Sequence, residues 1–181
     1  VVTVPFTVGG GIKDTASASA VIGAGASRVS TSSAAFRNPG VIAEMVRELG
    51  EDRVTVAIDV DRNPSLPSGY EVFIDGGRTP TGADALEWAK RVAGYGVRCI
   101  LPTSKATDGA RTGFDLPLIR MLAAATPAEI VASGGAGTLE HFREAAEAGA
   151  SILLAASVFH FGIISIPDLK AYLRRAGCGA A

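Results

Sequence analysis

The sequence lacks several features that mark particular classes of protein. It has two cysteines in 181 residues, Cys99 and Cys178, too few for a disulfide framework, and this indicates a reducing cytoplasm. Seventeen basic and eighteen acidic residues give a formal net charge of −1. No excess of one sign is therefore available for nucleic acid or for an anionic membrane. No apolar run reaches the roughly 18 to 20 residues that span a bilayer. Metal-ligand spacings and hydrolytic triads are also missing, so we expect no metal and no cofactor.

The sequence does contain a regular alternation of apolar runs and amphipathic segments. Its apolar fraction of 48% is enough for a substantial core, and we interpret residues 1–181 as one domain. The apolar runs show little polar alternation, which is typical of strands buried on both faces of a parallel sheet. The predicted strands are 2–8, 27–31, 54–60, 98–103, 129–133 and 151–155. The predicted helices are 14–24, 40–49, 82–93, 115–125, 138–148 and 166–176, with caps at or near Asp14, Asn38, Thr81, Asp115 and Thr138.

The alternation predicts the fold class. It forms six βα units of about 30 residues each, which is the unit length of a (β/α)8 barrel of about 250 residues. We therefore predict an α/β fold, an incomplete barrel of the TIM type with about three quarters of the units. The segment at about 61–80 is rich in Pro, Ser and Gly around the alternating run YEVFI, and we interpret it as a hairpin excursion over the strand ends.

A glycine-rich turn between a strand and a helix occurs twice. The segment 8–36, VGGGIKDTAS and onward, aligns without a gap on 132–160, which contains SGGAGTLEHF, and Ser33 then meets Ser157. Glycine turns allow close approach of backbone to a ligand, and amides at a following helix bind anions. Two such turns on opposite sides of a barrel predict a ligand with a phosphate at each end. The alternative is that the glycines only make tight barrel turns.

Two acidic residues follow predicted strands. Asp59 ends the run VTVAI, and an acid at the carboxyl end of a barrel strand is placed for catalysis. The alternative for Asp59 is a helix cap or an ion pair with Arg62. The pair Asp108-Gly109 lies in TSKATDGARTGFD after the strand 98–103. It is interpreted either as a loop that closes over one phosphate through its amides or as a plain turn.

Six segments together carry a resemblance to a known family. They are VPFTVGGGIKD, RVSTSSAAF, VAIDV, TSKATDGARTGFD, ASGGAGTLEHF and AASVFHF, in this order. The chain resembles the cyclase subunit of imidazole glycerol phosphate synthase over essentially its whole length. The resemblance implies a (β/α)8 barrel that takes ammonia from a glutaminase docked at the bottom. It also implies cyclisation and cleavage of a bis-phosphorylated ribonucleotide into imidazole glycerol phosphate and an aminoimidazole carboxamide ribotide.

The resemblance also implies roles for particular residues. Asp59 matches the family's general acid/base. One phosphate site is matched by Gly11, Ser32 and Ser33, although the family usually has Asn-Thr at the two serines. The other phosphate site is matched by Asp108, Gly109, Gly135, Ala156 and Ser157. The passage for ammonia is matched by Thr7 and Ser30, and by Arg28, which keeps the charge of the family's gate lysine.

The chain departs from the family pattern in ways that affect function. The match begins at the family's third strand, so the catalytic Asp of strand one and a lysine-bearing loop are missing. Ala106 and Ala110 replace an acid and a hydroxyl after strand six. Cys99 replaces the gate glutamate, and Ser27 replaces an aspartate that pairs with the glutaminase. A glutaminase partner is therefore possible with altered docking residues, and the chain alone is expected to be weakly active or inactive.

Removal of two strands from a closed barrel exposes two apolar strand edges, which invite pairing with another chain. We expect a homo-oligomer through these edges, or a separate polypeptide that supplies the two units. The second alternative is a sheet flattened into an open α/β arrangement. The leading functional hypothesis is a cyclase-family barrel that binds a bis-phosphorylated substrate or phosphate. The alternatives are a non-catalytic, self-associating barrel fragment and an isomerase-like activity on a related bis-phosphate.

Overall fold

The structure is a computed structural model that describes residues 2–179. Its strands are β1 (Thr7–Gly9), β2 (Arg28–Thr31), β3 (Val54–Arg62), β4 (Tyr70–Ile74), β5 (Thr79–Asp84), β6 (Cys99–Ser104), β7 (Glu129–Ala132) and β8 (Ile152–Leu153). Its helices are α1 (Thr15–Gly23), α2 (Ser33–Arg37), α3 (Gly40–Leu49), α4 (Ala85–Gly94), α5 (Leu116–Ala125), α6 (Leu139–Glu147), α7 (Ser157–His160) and α8 (Ile166–Arg175). Among these described residues, no helix combines the length and the apolar character needed to cross a bilayer.

Six of the strands form one curled parallel layer. Their order is β1-β2-β3-β6-β7-β8, with each neighbouring pair parallel. The six strands turn through 204° around an axis. The prediction of an incomplete TIM-type barrel with six βα units is therefore confirmed, and the flattened alternative is wrong. Because all six strands run the same way, their carboxyl ends and the loops that follow them meet at one face.

The central strand β3 shows why the sheet holds together. Val54, Val56, Ile58 and Val60 alternate along it and are each at most 2% exposed. Helices pack outside the sheet and bury their own apolar stripes, for example Val41, Ile42 and Met45 of α3. Burial of side chains of this size is worth about 1.5–3 kcal/mol each before chain entropy is counted. The core therefore lies around the long central strands.

Polar side chains fix where the helices begin. Asp14, Asp115 and Thr138 cap α1, α5 and α6 as predicted, each by accepting a hydrogen bond from a backbone amide of the first turn. The predicted cap at Thr81 is wrong, because β5 continues to Asp84, and Asp84 caps α4 instead. Asn38 ends α2 and precedes α3 by two residues.

The edge strands are shorter than predicted. The run 2–8 contributes only Thr7–Gly9, and 151–155 contributes only Ile152–Leu153. Among residues 2–179 each edge strand has one neighbour, so the segment ahead of β1 has no strand within this range to pair with on its outer side. Val2 and Val4 are 62% and 66% exposed there. Among the strands that pair on both sides, β3 and β6 reach their predicted length or exceed it, whereas β2 and β7 are each one residue shorter than predicted.

The predicted excursion at 61–80 is a hairpin. β4 pairs antiparallel with the extended end of β3, and β5 pairs antiparallel with β4 through a turn at 75–78. The hairpin is tied to the sheet by the buried carboxylate of Asp115. This carboxylate accepts hydrogen bonds from the hydroxyls of Tyr70 at 2.7 Å and Ser104 at 2.9 Å. It also pairs with the guanidinium of Arg62 at 3.0 Å.

Candidate functional site

Two cavities open at the carboxyl ends of the parallel strands. The first has a volume of about 420 Å³. It is lined by Gly10, Gly11, Ile12, Lys13, Ser30, Thr31, Ser32, Ser33, Ala34, Ala57, Asp59 and Gly76. The second has a volume of about 180 Å³. It is lined by Asp108, Gly109, Arg111, Ser133, Gly134, Gly135, Ala136, Leu154, Ala155, Ala156 and Ser157.

The first cavity is built from the first glycine turn and the end of β2. Gly10 and Gly11 have φ values of 90° and 74°, which side chains rarely adopt, and the turn is held by the buried Thr31 hydroxyl, which donates to the Ile12 carbonyl at 3.0 Å. Among residues 2–179, the amides of both glycines lack an intramolecular acceptor. The turn and Ser32 therefore present donors to the cavity.

Asp59 stands in the wall of this first cavity. Burial raises the pKa of its carboxyl above the ordinary value, and the charge of Asp108 raises that pKa further. The amide of Gly77 and the ammonium of Lys105 act in the opposite direction and only partly offset this. The alternative ion pair of Asp59 with Arg62 is wrong, because Arg62 pairs with Asp115. The carboxylate thus faces the cavity with a weakened preference for its charged form.

The second cavity is built where the loop after β6 packs on the second glycine turn. A Cβ placed on Gly135, whose φ is 104°, would lie 2.0 Å from the carbonyl oxygen of Gly113, so only glycine fits. The amide of Gly113 donates to the Gly135 carbonyl at 2.8 Å and joins the two segments. Within the described part of the chain, the amides of Gly109, Gly135 and Ser157 have no intramolecular acceptor.

The amide of Asp108 differs from its neighbours. It donates to the carbonyl of Ser104 at 3.0 Å and is therefore already engaged within the loop. Of the pair Asp108-Gly109, only the Gly109 amide is available to a ligand. The carboxylate of Asp108 lies in the wall of the cavity. Its charge is felt at Asp59, which places the two cavities within electrostatic range of each other.

Arg111 is a site residue that the sequence reasoning missed. It lines the second cavity, and its Nε donates to the Ser157 hydroxyl at 3.4 Å. Its φ of 57° is unusual for a side-chain-bearing residue. Gly137 leaves room for it, since a Cβ there would lie 2.3 Å from the Arg111 carbonyl oxygen. The sequence did contain a signal for Arg111. It is a basic residue three positions after Asp108, in a loop that was predicted to close over a phosphate.

The three residues predicted to line a passage for ammonia lie at different positions along their strands. Thr7 and Arg28 are register partners near the amino ends of β1 and β2, whereas Ser30 lines the first cavity. The guanidinium of Arg28 reaches Glu129 of β7 at 3.5 Å, although β3 and β6 lie between these strands in the sheet. The buried Cys99 is the register partner of Glu129, and burial raises the pKa of its thiol. An ion pair therefore crosses the curled sheet at the amino ends of its strands, which we call the lower end of the sheet.

A parallel sheet curled about an axis, with two glycine-lined cavities at the carboxyl ends of its strands, defines a protein of the TIM-barrel class. The sequence model described as histidine biosynthesis protein matches residues 1–165, and the chain belongs to that family. It is 46% identical over 177 residues to imidazole glycerol phosphate synthase subunit HisF of Nocardia farcinica, covering 96% of this chain and 69% of the relative. The predicted resemblance is confirmed.

Two further relatives carry the same name. The subunit from Thermobifida fusca is 45% identical over 179 residues, covering 97% of this chain and 70% of the relative. The subunit from Pyrobaculum aerophilum is 46% identical over 176 residues, covering 97% and 68%. The three relatives match at 45–46% identity over 96–97% of this chain, so the chain is HisF-like along almost its whole length.

Proposed function

We propose that the chain carries the substrate site of a HisF-type cyclase and acts in histidine biosynthesis as part of imidazole glycerol phosphate synthase. The observation that supports this is the pair of cavities. Each is lined by a glycine turn with unengaged amides and by a serine, and Asp59 stands in the wall of one. A ribonucleotide with a phosphate at each end is the ligand that such a pair suits. The names of the relatives favour the same reaction.

Each cavity has donors suited to a phosphate group. In the first, Gly11, Ser32 and Ser33 supply amides and hydroxyls. In the second, the amides of Gly109, Gly135 and Ser157 are joined by the guanidinium of Arg111, which adds a positive charge. Ala156 contributes backbone only. The carboxylate of Asp108 opposes an anion, so we assign its loop a role in shaping the cavity through Gly109.

Asp59 is assigned the role of general acid/base. In its carboxylate form it accepts a proton from the bound substrate. The raised pKa improves the acceptor, since a stronger base takes the proton more readily. A single carboxylate in one role supports weak turnover at most, and we propose that the chain is weakly active or inactive alone.

Ammonia is proposed to enter at the lower end of the sheet and to pass Thr7 and Ser30. The ion pair between Arg28 and Glu129 spans that end and would have to open or leave a gap. Glu129 thus supplies an acid at the entrance, where Cys99 stands in the position of the family's gate glutamate. A glutaminase partner is the proposed source of ammonia, with docking altered by Ser27.

A change at Ser157 tests the second cavity. Ser157→Asp is expected to weaken binding of inorganic phosphate there by about tenfold or more, because a carboxylate would face the bound anion. Isothermal calorimetry gives the affinity, and the amide shift of Gly135 in NMR spectra assigns the binding to this cavity. The control is Ser151→Asp, which adds the same charge at an exposed position before β8. Equal phosphate affinity in wild type and Ser157→Asp would contradict the assignment.

The unpaired edges of the sheet favour a second property, self-association. β1 and β8 each pair with one strand, and apolar side chains next to them in the chain are exposed, including Val4 at 66% and Leu154 at 40%. Exposed edges of this kind template pairing with further strands. A non-catalytic scaffold would need only this property, whereas the cyclase proposal needs the cavities as well.

We expect the 181-residue chain to associate at micromolar concentration, with a mass by light scattering of at least about twice its 18.4 kDa. Lysines on both edges, Val4→Lys with Ile152→Lys, should shift it to monomer because charged edges resist pairing. The matched control is Glu44→Lys on the exposed face of α3, which should leave the mass unchanged. A stable wild-type monomer at these concentrations would rule out pairing through the edges.

A further inference from the structure

The turn of the hairpin, residues 75–78, is fastened to the first cavity by its first residue. The amide of Asp75 donates to the Ser33 hydroxyl at 2.8 Å. The Asp75 carboxylate accepts two hydrogen bonds from the guanidinium of Arg37, at 2.8 and 2.7 Å, and one from Thr79 at 3.1 Å. The φ of Asp75 is 58°, a left-handed conformation that needs such support in a residue other than glycine. Arg37 and Ser33 both belong to α2.

The same turn is also held from the opposite side. A Cβ placed on Gly77 would lie 3.4 Å from Cδ of Lys105, so the lysine stem packs against the turn. The Lys105 ammonium lies 3.7 Å above the centre of the Phe73 ring and 3.4 Å from an oxygen of Asp61. Lys105 opens the loop whose later residues line the second cavity, while Gly76 of the turn lines the first. The turn therefore contacts both the first cavity and the start of the loop that leads to the second.

We infer that the hairpin turn is a positioning element of the candidate site, and that the ion pair of Arg37 with Asp75 holds the Ser33 hydroxyl in place for an anion. This inference rests on the proposed function, since it assigns how one of the two anion cavities is kept in shape. Arg37 and Asp75 are positioning residues, because neither lines the cavity.

The chemistry of a hydroxyl explains why the contact matters. A serine hydroxyl has one proton to donate and two lone pairs that accept. The Asp75 amide occupies a lone pair of Ser33 and leaves the proton free for a phosphate oxygen. Without the amide, the Ser33 hydroxyl is free to rotate among its staggered positions. The turn therefore fixes the direction of the donor before the ligand arrives.

The test follows phosphate binding at both cavities in one NMR titration, with the Gly11 amide reporting the first cavity and the Gly135 amide the second. Arg37→Gln is expected to lower the affinity for inorganic phosphate reported by the Gly11 amide about two- to fivefold, because an exposed ion pair contributes little more than that. The affinity reported by the Gly135 amide should be unchanged. The matched control is Arg47→Gln, an exposed arginine of α3 that forms no ion pair among residues 2–179. It should change neither cavity.

A second set of variants separates the carboxylate of Asp75 from its backbone. Asp75→Gly keeps the left-handed φ and removes the ion pair, so it should match Arg37→Gln. Asp75→Ala also strains the backbone and should lose more. Ser33→Ala removes the acceptor, and hydrogen exchange of the Asp75 amide should then quicken about tenfold without any ligand.

The outcomes separate failure of this inference from failure of the proposed function. No shift of the Gly11 amide in wild type at millimolar phosphate would overturn both. A wild-type shift with unchanged affinity in Arg37→Gln would overturn the positioning role alone. Equal weakening at Gly11 and Gly135 would also overturn it, because it would indicate general destabilisation. Selective weakening at Gly11, with faster exchange at Asp75, supports it.

Discussion

Replacement of Asp115 by alanine is expected to lower the free energy of unfolding by about 3–5 kcal/mol, because a helix cap is lost and two buried hydroxyls lose their acceptor. The Asp115 side chain is 3% exposed. It accepts hydrogen bonds from the Tyr70 and Ser104 hydroxyls and caps α5 through the Leu118 amide at 3.2 Å. Alanine would leave the buried Ser104 hydroxyl and the Tyr70 hydroxyl unpaired, which adds to the loss of the cap.

The network joins parts of the chain that are far apart in sequence, so the loss should be cooperative. Arg62 ends β3, Tyr70 begins the hairpin and Ser104 ends β6. Urea unfolding followed by circular dichroism gives the free energy. The control is Asp52→Ala, an exposed carboxylate, with an expected change of about 0.5 kcal/mol or less. A loss below about 1 kcal/mol for Asp115→Ala would show that the network contributes little.

Much of the fold follows from local sequence. The parallel strands were predictable because largely apolar runs with little polar alternation, such as VTVAI, suit burial on both faces. Caps at Asp14 and Thr138 were predictable because the capping contact spans only three residues. The limits of the edge strands were not, because the length of a strand depends on its neighbours in the sheet. The apolar run ahead of Thr7 is suited to a strand but has no second strand beside it.

The candidate site was predictable to the extent that it repeats. The gap-free match of the two glycine turns indicated two anion cavities, and the structure has a cavity at each. The side-chain partners in the site were not predictable from this repeat, because they depend on contacts between segments that are distant in the sequence. Arg62 was considered as a partner for Asp59, but it pairs with Asp115, 53 residues along the chain. The contact of Ser33 with Asp75 spans 42 residues. Contacts across such distances in the chain leave no repeating pattern in the sequence, so they could not be predicted from it.

Arg111 shows the same limit in another form. A basic residue in a loop has many possible directions, and its position over the second cavity depends on a left-handed φ and on the absence of a side chain at Gly137. The second glycine turn therefore does more than present amides. It also gives the loop after β6 room to approach, and this brings the only guanidinium among the residues lining the two cavities to Ser157.

Where the chain shows weak ammonium-dependent cyclisation of the bis-phosphorylated ribonucleotide, replacement of Asp59 by asparagine is expected to lower its kcat by about 10²–10⁴-fold, because general acid/base catalysis contributes that much. Phosphate affinity at the Gly11 cavity should not fall, since asparagine removes a negative charge from its wall. The assay uses excess ammonium, so no glutaminase is required. The control is Asp52→Asn, which removes the same charge at an exposed position ahead of β3, outside both cavities. A measurable wild-type turnover that falls less than tenfold in Asp59→Asn would exclude Asp59 as the acid/base.

The same substitution should raise the free energy of unfolding at neutral pH, and the sign follows from the raised pKa of Asp59. Between the ordinary value near 3.8 and the raised value, the folded chain binds more protons at this carboxyl than the unfolded chain. The contribution of Asp59 to stability therefore falls as pH rises through that window and stays lost above it. An asparagine side chain does not titrate, so the Asp59→Asn variant has no such dependence. Urea unfolding from pH 4 to 7 should show wild type losing stability relative to Asp59→Asn, whereas parallel curves would mean that the carboxyl is not perturbed. Catalytic carboxyls often have a perturbed pKa that lowers the stability of the fold. The same combination at Asp59, in the wall of a cavity, is consistent with its assigned role as acid/base.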